Sequence, residues 1–178
     1  MIIKKKINGK RIFLQNLNSE NVHKDYSKWL NNKKVNKYLE ARHFKHTKKT
    51  CQIFIDQNNL SKNDILFGIF EKKKKIHIGN IKIGSIDKYN LRADIGIIIG
   101  NSFYWGKGLA TEAIKICTFF CFKNLKLKRI TAGCYSENLG SAKAFKRAGW
   151  YKEGVLRKYW KLDKKHRSDE ILLGIYNK

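Results

Sequence analysis

Between Ala93 and Phe122 the chain reads ADIGIIIG, then NSFYWGKG, then LATEAIKICTFFCF. The isoleucine-rich run marks a strand, and the loop after it ends in two glycines around one lysine. In the last segment Ala110, Ala113, Ile114, Cys117 and Cys121 recur at steps of three and four, with Lys115 and Lys123 off that stripe. Such spacing predicts a helix with one buried face, starting between Gly106 and Ala110. A helix start leaves backbone N–H groups unpaired and carries partial positive charge. Glycine lets a ligand approach the backbone closely and allows left-handed dihedrals. Together these make a cradle for an anion, and phosphate is the natural occupant. The pattern Gly-x-x-x-x-Gly-Lys-Ser/Thr is absent, and Thr111 occupies the third glycine's place of a dinucleotide fingerprint. The step by itself leaves two readings open: an anion cradle, or a helix start packed tightly on its strand.

The remaining chain supplies a sheet around this unit. Arg11–Leu17 reads as a strand. A helix is predicted from Ser19 as N-cap, through Val22, Tyr26, Trp29 and Leu30, to Leu39. Thr47–Leu60 is a second helix, with Cys51, Phe54 and Ile55 on one face. Residues 64–72 and 75–87 form an antiparallel hairpin around the lysine turn in EKKKKIH. Lys128–Tyr135 is a strand, and SENLGSAKAFKRAG is a helix closed by Gly149 at C′. Residues 150–162 and 169–176 finish as a strand pair. The order predicts an α/β fold: a mixed, mostly antiparallel central sheet of six to seven strands with helices on both faces.

The length of 178 residues is that of one domain. No apolar run is long enough to span a membrane, and MIIKKKINGK has no apolar signal core, so a cytoplasmic location is expected. The four cysteines form no Cys-x-x-Cys pair, and His43 and His46 have no nearby cysteine or carboxylate, so no metal is expected. The net charge of +25 invites a nucleic-acid partner. The lysines, however, are spread along a chain rich in Lys, Asn and Ile and without proline. The reading therefore sets nucleic acid aside and keeps one consequence: the surface attracts anions and repels polycations.

The two segments DIGIIIG…YWGKGLATEAI and ITAGCYSENLGSAKAFKRAGWYKEG resemble the GNAT acetyltransferase superfamily, and its RimJ/RimL-like branch in particular. The superfamily pattern Arg/Gln-x-x-Gly-x-Gly/Ala falls on Trp105, Gly108 and Ala110, with Trp in the first place. The block Asn-x-x-Ser-x-x-x-Phe/Tyr-x-x-x-Gly-Phe/Trp falls on Asn138, Ser141, Phe145, Gly149 and Trp150. The resemblance implies direct acetyl transfer from acetyl-CoA to a primary amine. It implies pyrophosphate on the backbone of Trp105, Gly106, Lys107, Gly108, Leu109, Ala110 and Thr111. The pantetheine arm would lie along Ile97, Ile98 and Ile99, with Asn138, Ser141 and Phe145 beside it. Asp94 is expected as general base, with Glu137 and Glu153 behind it, and Ser141 or Tyr135 as donor to the leaving thiolate. Phe145 occupies the place of the tyrosine that many family members use. Arg42, His43, His46, Arg157 and Tyr159 are expected at the acceptor. The branch acts on ribosomal-protein N-termini, polyamines, aminoglycosides and nucleotide-linked amino sugars. Charge favours an anionic or sugar-like acceptor, the nucleotide-linked amino sugar first and a protein N-terminus second. A non-catalytic acetyl-CoA or nucleic-acid binding module is the third reading, and a monomer or homodimer is expected.

Overall fold

The computed structural model of the protein describes residues 1–3, 5–20 and 25–177. Its strands are β1 (Ile7–Asn8), β2 (Ile12–Asn16), β3 (Ile65–Glu71), β4 (His77–Asp87), β5 (Arg92–Ile99), β6 (Arg129–Tyr135), β7 (Tyr151–Lys161) and β8 (Arg167–Tyr176). Its helices are α1 (Asp25–Asn31), α2 (Lys33–Asn36), α3 (Lys48–Leu60), α4 (Leu109–Lys123) and α5 (Leu139–Arg147). The strands form one eight-stranded sheet in the order β1-β2-β3-β4-β5-β6-β8-β7. The mixed sheet is as expected, and the added strand is the two-residue β1. It folds back on β2 through a turn in which Gly9 N–H bonds the Ile12 carbonyl at 2.8 Å. Two residues are too few to show a period of two.

Helices cover both faces, and β3 shows why. Side chains alternate across a strand. Ile65, Phe67 and Ile69 therefore join the core under α4, whereas Leu66 joins Tyr26, Trp29, Cys51 and Ile55 of α1 and α3. The face of α4 that meets the sheet is Ala113, Ile114, Cys117, Phe120 and Cys121, all buried. Each large apolar side chain so buried contributes about 1.5–3 kcal/mol. The four cysteines are free and buried.

The first predicted helix is not continuous. Its described part is α1, and Val22 lies outside the described residues. Asn32 ends α1 and caps α2, its side chain accepting the Lys34 N–H at 2.9 Å. An asparagine that offers the backbone such a bond favours a break over continuation. After α2 the chain makes a short 3-10 turn at Glu40–His43. The second predicted helix starts as expected, with Thr47 and Thr50 in a reciprocal cap.

Only β5 and β6 run parallel, and their pairing stops early. The pairs are Arg92–Arg129, Ala93–Ile130 and Asp94–Thr131. Beyond them β5 stays with β4 up to Ile99–Gly79, and β6 stays with β8 up to Tyr135–Glu170. The two strands part like a V, and the mouth faces the starts of α4 and α5.

Candidate acetyl-donor cleft and acceptor cavity

The open V holds a cavity of about 600 Å³, lined by Ile97, Ile98 and Ile99 on one side and by Asn138 to Ser141 on the other. The loop before α4 closes its mouth. Gly106 and Gly108 adopt φ of +71° and +73°. No side chain caps the helix at Gly108. A Cβ at Gly106 would meet nothing within 4 Å, and one at Gly108 would meet only the end of Arg11 at 3.6 Å. The first turn of α4 thus keeps its N–H groups free of a side-chain cap, as an anion cradle requires. Arg11 pins this loop from behind. Its guanidinium bonds the Lys107 carbonyl at 2.8 Å and the Glu112 carboxylate at 2.9 Å. Three further cations line the cleft: Lys34, Lys143 and Arg147.

Of the residues expected at the cofactor, Ile97, Ile98, Ile99, Trp105, Gly106, Gly108, Leu109, Ala110, Thr111, Asn138 and Ser141 line this cleft. Ala110, expected in the helix's buried stripe, is only half-buried and faces the cleft instead. Asn138 Oδ1 caps α5 by accepting the Ser141 N–H at 3.2 Å, leaving its Nδ2 for other partners. Two expected residues do not line it. Lys107 Nζ sits over the Phe103 ring at 3.6 Å. Phe145 is 2% exposed and packs edge-on against Trp150 at 4.8 Å, because α5 turns that position into the core.

A second cavity, of about 710 Å³, opens beside the first and shares Tyr38 and Glu137 with it. Lys33, Lys37, Arg42, His43 and Lys45 line it, with Phe44, Glu137, Asp163 and His166. Of the residues expected at the acceptor, Arg42 and His43 are here. His46 lies nearby, bonding the Ala41 carbonyl at 2.8 Å. Arg157 and Tyr159 line neither cavity. Arg157 pairs with Asp169 at 2.8 Å, and Tyr159 packs edge-on to Trp160. Edge strand β7 turns both away from the site.

The catalytic expectations fare unevenly. Asp94 sits where β5 and β6 are still paired, with its carboxylate against Gly84 beside Asp64 and Lys82, outside both cavities. Tyr135 is 4% exposed, stacked on Trp160, and its phenol bonds Glu40 and Arg42. Burial and the Glu40 carboxylate push it up to about 12. A hydroxyl so placed is a buried hub beside Arg42, outside the lining of the cleft. Ser141 remains in the cleft. Glu153 pairs with Arg129, away from it. Glu137 is the carboxylate at the seam. Burial would raise it, yet bonds from Ser168 and His166 outweigh that and hold it at about 2.

A family model described as an acetyltransferase (GNAT) domain matches residues 11–150. The chain belongs to the GNAT acetyltransferase family. It is 36% identical over 107 residues to a probable N-acetyltransferase, YjcK, of Bacillus subtilis, spanning 60% of this chain and 59% of that protein. It is 34% identical over 129 residues to an uncharacterized N-acetyltransferase, p20, of Bacillus licheniformis, spanning 71% and 72%. Among solved structures, a microcin C7 self-immunity acetyltransferase in complex with acetyl-CoA and AMP superposes with a TM-score of 0.78 at 23% identity, over 95% of this chain and 94% of that one. Lys143 and Arg147 were legible as an i, i+4 cationic pair on α5. The basic cavity was legible only at Arg42 and His43, since its residues come from four separate segments.

Proposed function

We propose that the protein is an acetyl-CoA-dependent N-acetyltransferase of the RimJ/RimL-like branch, and that its acceptor is an amino sugar carried on a nucleotide. The observation that carries the first part is the V between β5 and β6, ending at two left-handed glycines and an uncapped helix. Acetyl-CoA brings an activated acetyl group as a thioester, whose carbonyl accepts an amine. Backbone N–H groups from Trp105 to Thr111 bind its pyrophosphate, with Lys34, Lys143 and Arg147 adding charge. The β5 backbone from Ile97 to Ile99, paired with β4 on one edge and open toward β6 on the other, would bind the arm as an added strand. A β5 N–H beside Ile97 or Ile98 would steady the negative charge that grows on the carbonyl oxygen. Ser141, in the lining of the cleft, would donate toward the leaving sulfur.

The lining of the second cavity supports the acceptor class. Lys33, Lys37, Arg42 and Lys45 suit phosphate and would repel a polyamine. Phe44, 71% exposed within that lining, offers a ring on which a base can stack. The solved relative that holds acetyl-CoA and AMP together is a case of both ligand classes on this fold. The test is thiol release from acetyl-CoA with a nucleotide-linked amino sugar, an N-terminal peptide of ribosomal type, spermidine and an aminoglycoside. The reading expects the amino sugar to give the highest kcat/KM. A higher value for spermidine overturns the acceptor assignment.

A further inference from the structure

Tyr38 and Glu137 are the residues that both cavities share. An amine held in the basic cavity must pass this seam to meet a thioester in the cleft. Glu137 is therefore close to where the acceptor nitrogen loses its proton. Its Oε1 lies 3.0 Å from Nε2 of His166, which itself lines the basic cavity. Its Oε2 is held by the buried Ser168 and by Ser136 at 3.1 Å. An ionised carboxylate only accepts, so Nε2 carries the hydrogen, and in the neutral ring the lone pair is on Nδ1. The turn presenting His166 is fixed. Asp163 Oδ1 accepts the N–H groups of Lys165 and His166 at 2.8 and 2.9 Å. The Leu162 N–H bonds the His166 carbonyl at 3.0 Å. Ring and carboxylate come from the β7–β8 hairpin and from the turn before α5, 29 positions apart. Such an oriented imidazole is a group built to take a proton.

The geometry points to a Glu137–His166 dyad in which His166 is the general base for the acceptor amine and Glu137 positions it. This inference rests on the acetyl-transfer reading above. The acceptor arrives as an ammonium ion. His166 Nδ1 takes one proton, leaving a neutral amine. The amine nitrogen attacks the thioester carbonyl, so a C–N bond forms and the C–S bond breaks. The second proton leaves the new amide nitrogen for the departing sulfur, and the proton on His166 passes to water. The products are an amide and a thiol, with one proton released. Lys33, Lys37, Arg42 and Lys45 help, since nearby positive charge favours the neutral amine.

The test uses the full chain with the best acceptor of the panel. His166→Gln is expected to lower kcat about 100-fold, with the acetyl-CoA KM within about twofold. His166→Ala is expected to regain rate when imidazole is added. Glu137→Gln is expected to lower kcat about tenfold. The Glu137→Gln, His166→Ala pair should be no slower than His166→Ala alone, because the carboxylate acts only through the ring. A merely structural carboxylate would add its own loss in that pair. His166→Gln with more than about a third of wild-type kcat overturns the dyad alone. A wild type that releases no thiol with any amine overturns the acetyl-transfer reading and the dyad with it.

Discussion

Replacing Gly108 by valine separates what the glycine does for the fold from what it does for the ligand. At φ +73° an L residue is strained by about 1–2 kcal/mol, partly offset by about 0.4–1 kcal/mol of lost freedom in the unfolded chain. The net loss is about 1 kcal/mol, which for a chain of this size lowers Tm by about 2–4 °C. Gly149 provides the matching control. It has φ +95° at the end of α5, and a Cβ there would meet nothing within 4 Å. Gly149→Ala should therefore cost a similar Tm while leaving the cleft intact. The valine at 108 differs in sitting at the uncapped start of α4, in the lining of the cleft. Losing one charge-assisted bond there costs about 1.5–3 kcal/mol, or about 10- to 150-fold in Kd. The assay is calorimetric titration of acetyl-CoA into wild type and both variants at a temperature where all are folded. Wild-type affinity in Gly108→Val, or equal weakening in Gly149→Ala, would refute the cradle.

Phe145→Tyr would bury a hydroxyl beside Trp150, at a cost of about 1–3 kcal/mol if it goes unpaired. A lower Tm and no faster thiol release are expected; a faster rate would show that the ring reaches the cleft. Lys37→Glu should raise the acceptor KM about tenfold with the acetyl-CoA KM unchanged, whereas Arg157→Ala should change neither by more than about twofold. Equal effects of the two would remove the basic cavity as acceptor site. Glu137 contributes to stability through its depressed titration, from 4.5 to about 2. That contribution is present above pH 4.5 and is lost as pH falls toward 2. Acid-unfolding curves should therefore be shallower in Glu137→Gln over this window, and an unchanged slope would contradict the network around it.

The glycine loop and its helix were readable because they are local. Gly106, Gly108 and the stripe through Ala113, Ile114, Cys117 and Cys121 sit in one continuous segment. Asn138 was placed by the motif block, and it stands as the cap of a short helix. Phe145 shows where motif position stops informing. The block places it on α5, but packing against Trp150 decides which way it faces. The break at Asn32 was masked by apolar spacing that continues past it. The basic cavity was readable only in part: Arg42 and His43 were expected together, whereas Lys33, Glu137 and His166 join them only once the hairpin β7–β8 folds across the turn before α5. The seam residue Glu137 gains its meaning from His166 and Ser168, which lie more than one strand away.

The most direct measurement is to follow an isotope-labelled acetyl group from acetyl-CoA by NMR, in the presence of a nucleotide-linked amino sugar. Direct transfer requires the label to move to the sugar nitrogen as an amide, in step with thiol release and with none retained on the protein. Label found as free acetate, bound to the chain, or left on coenzyme A would contradict the account.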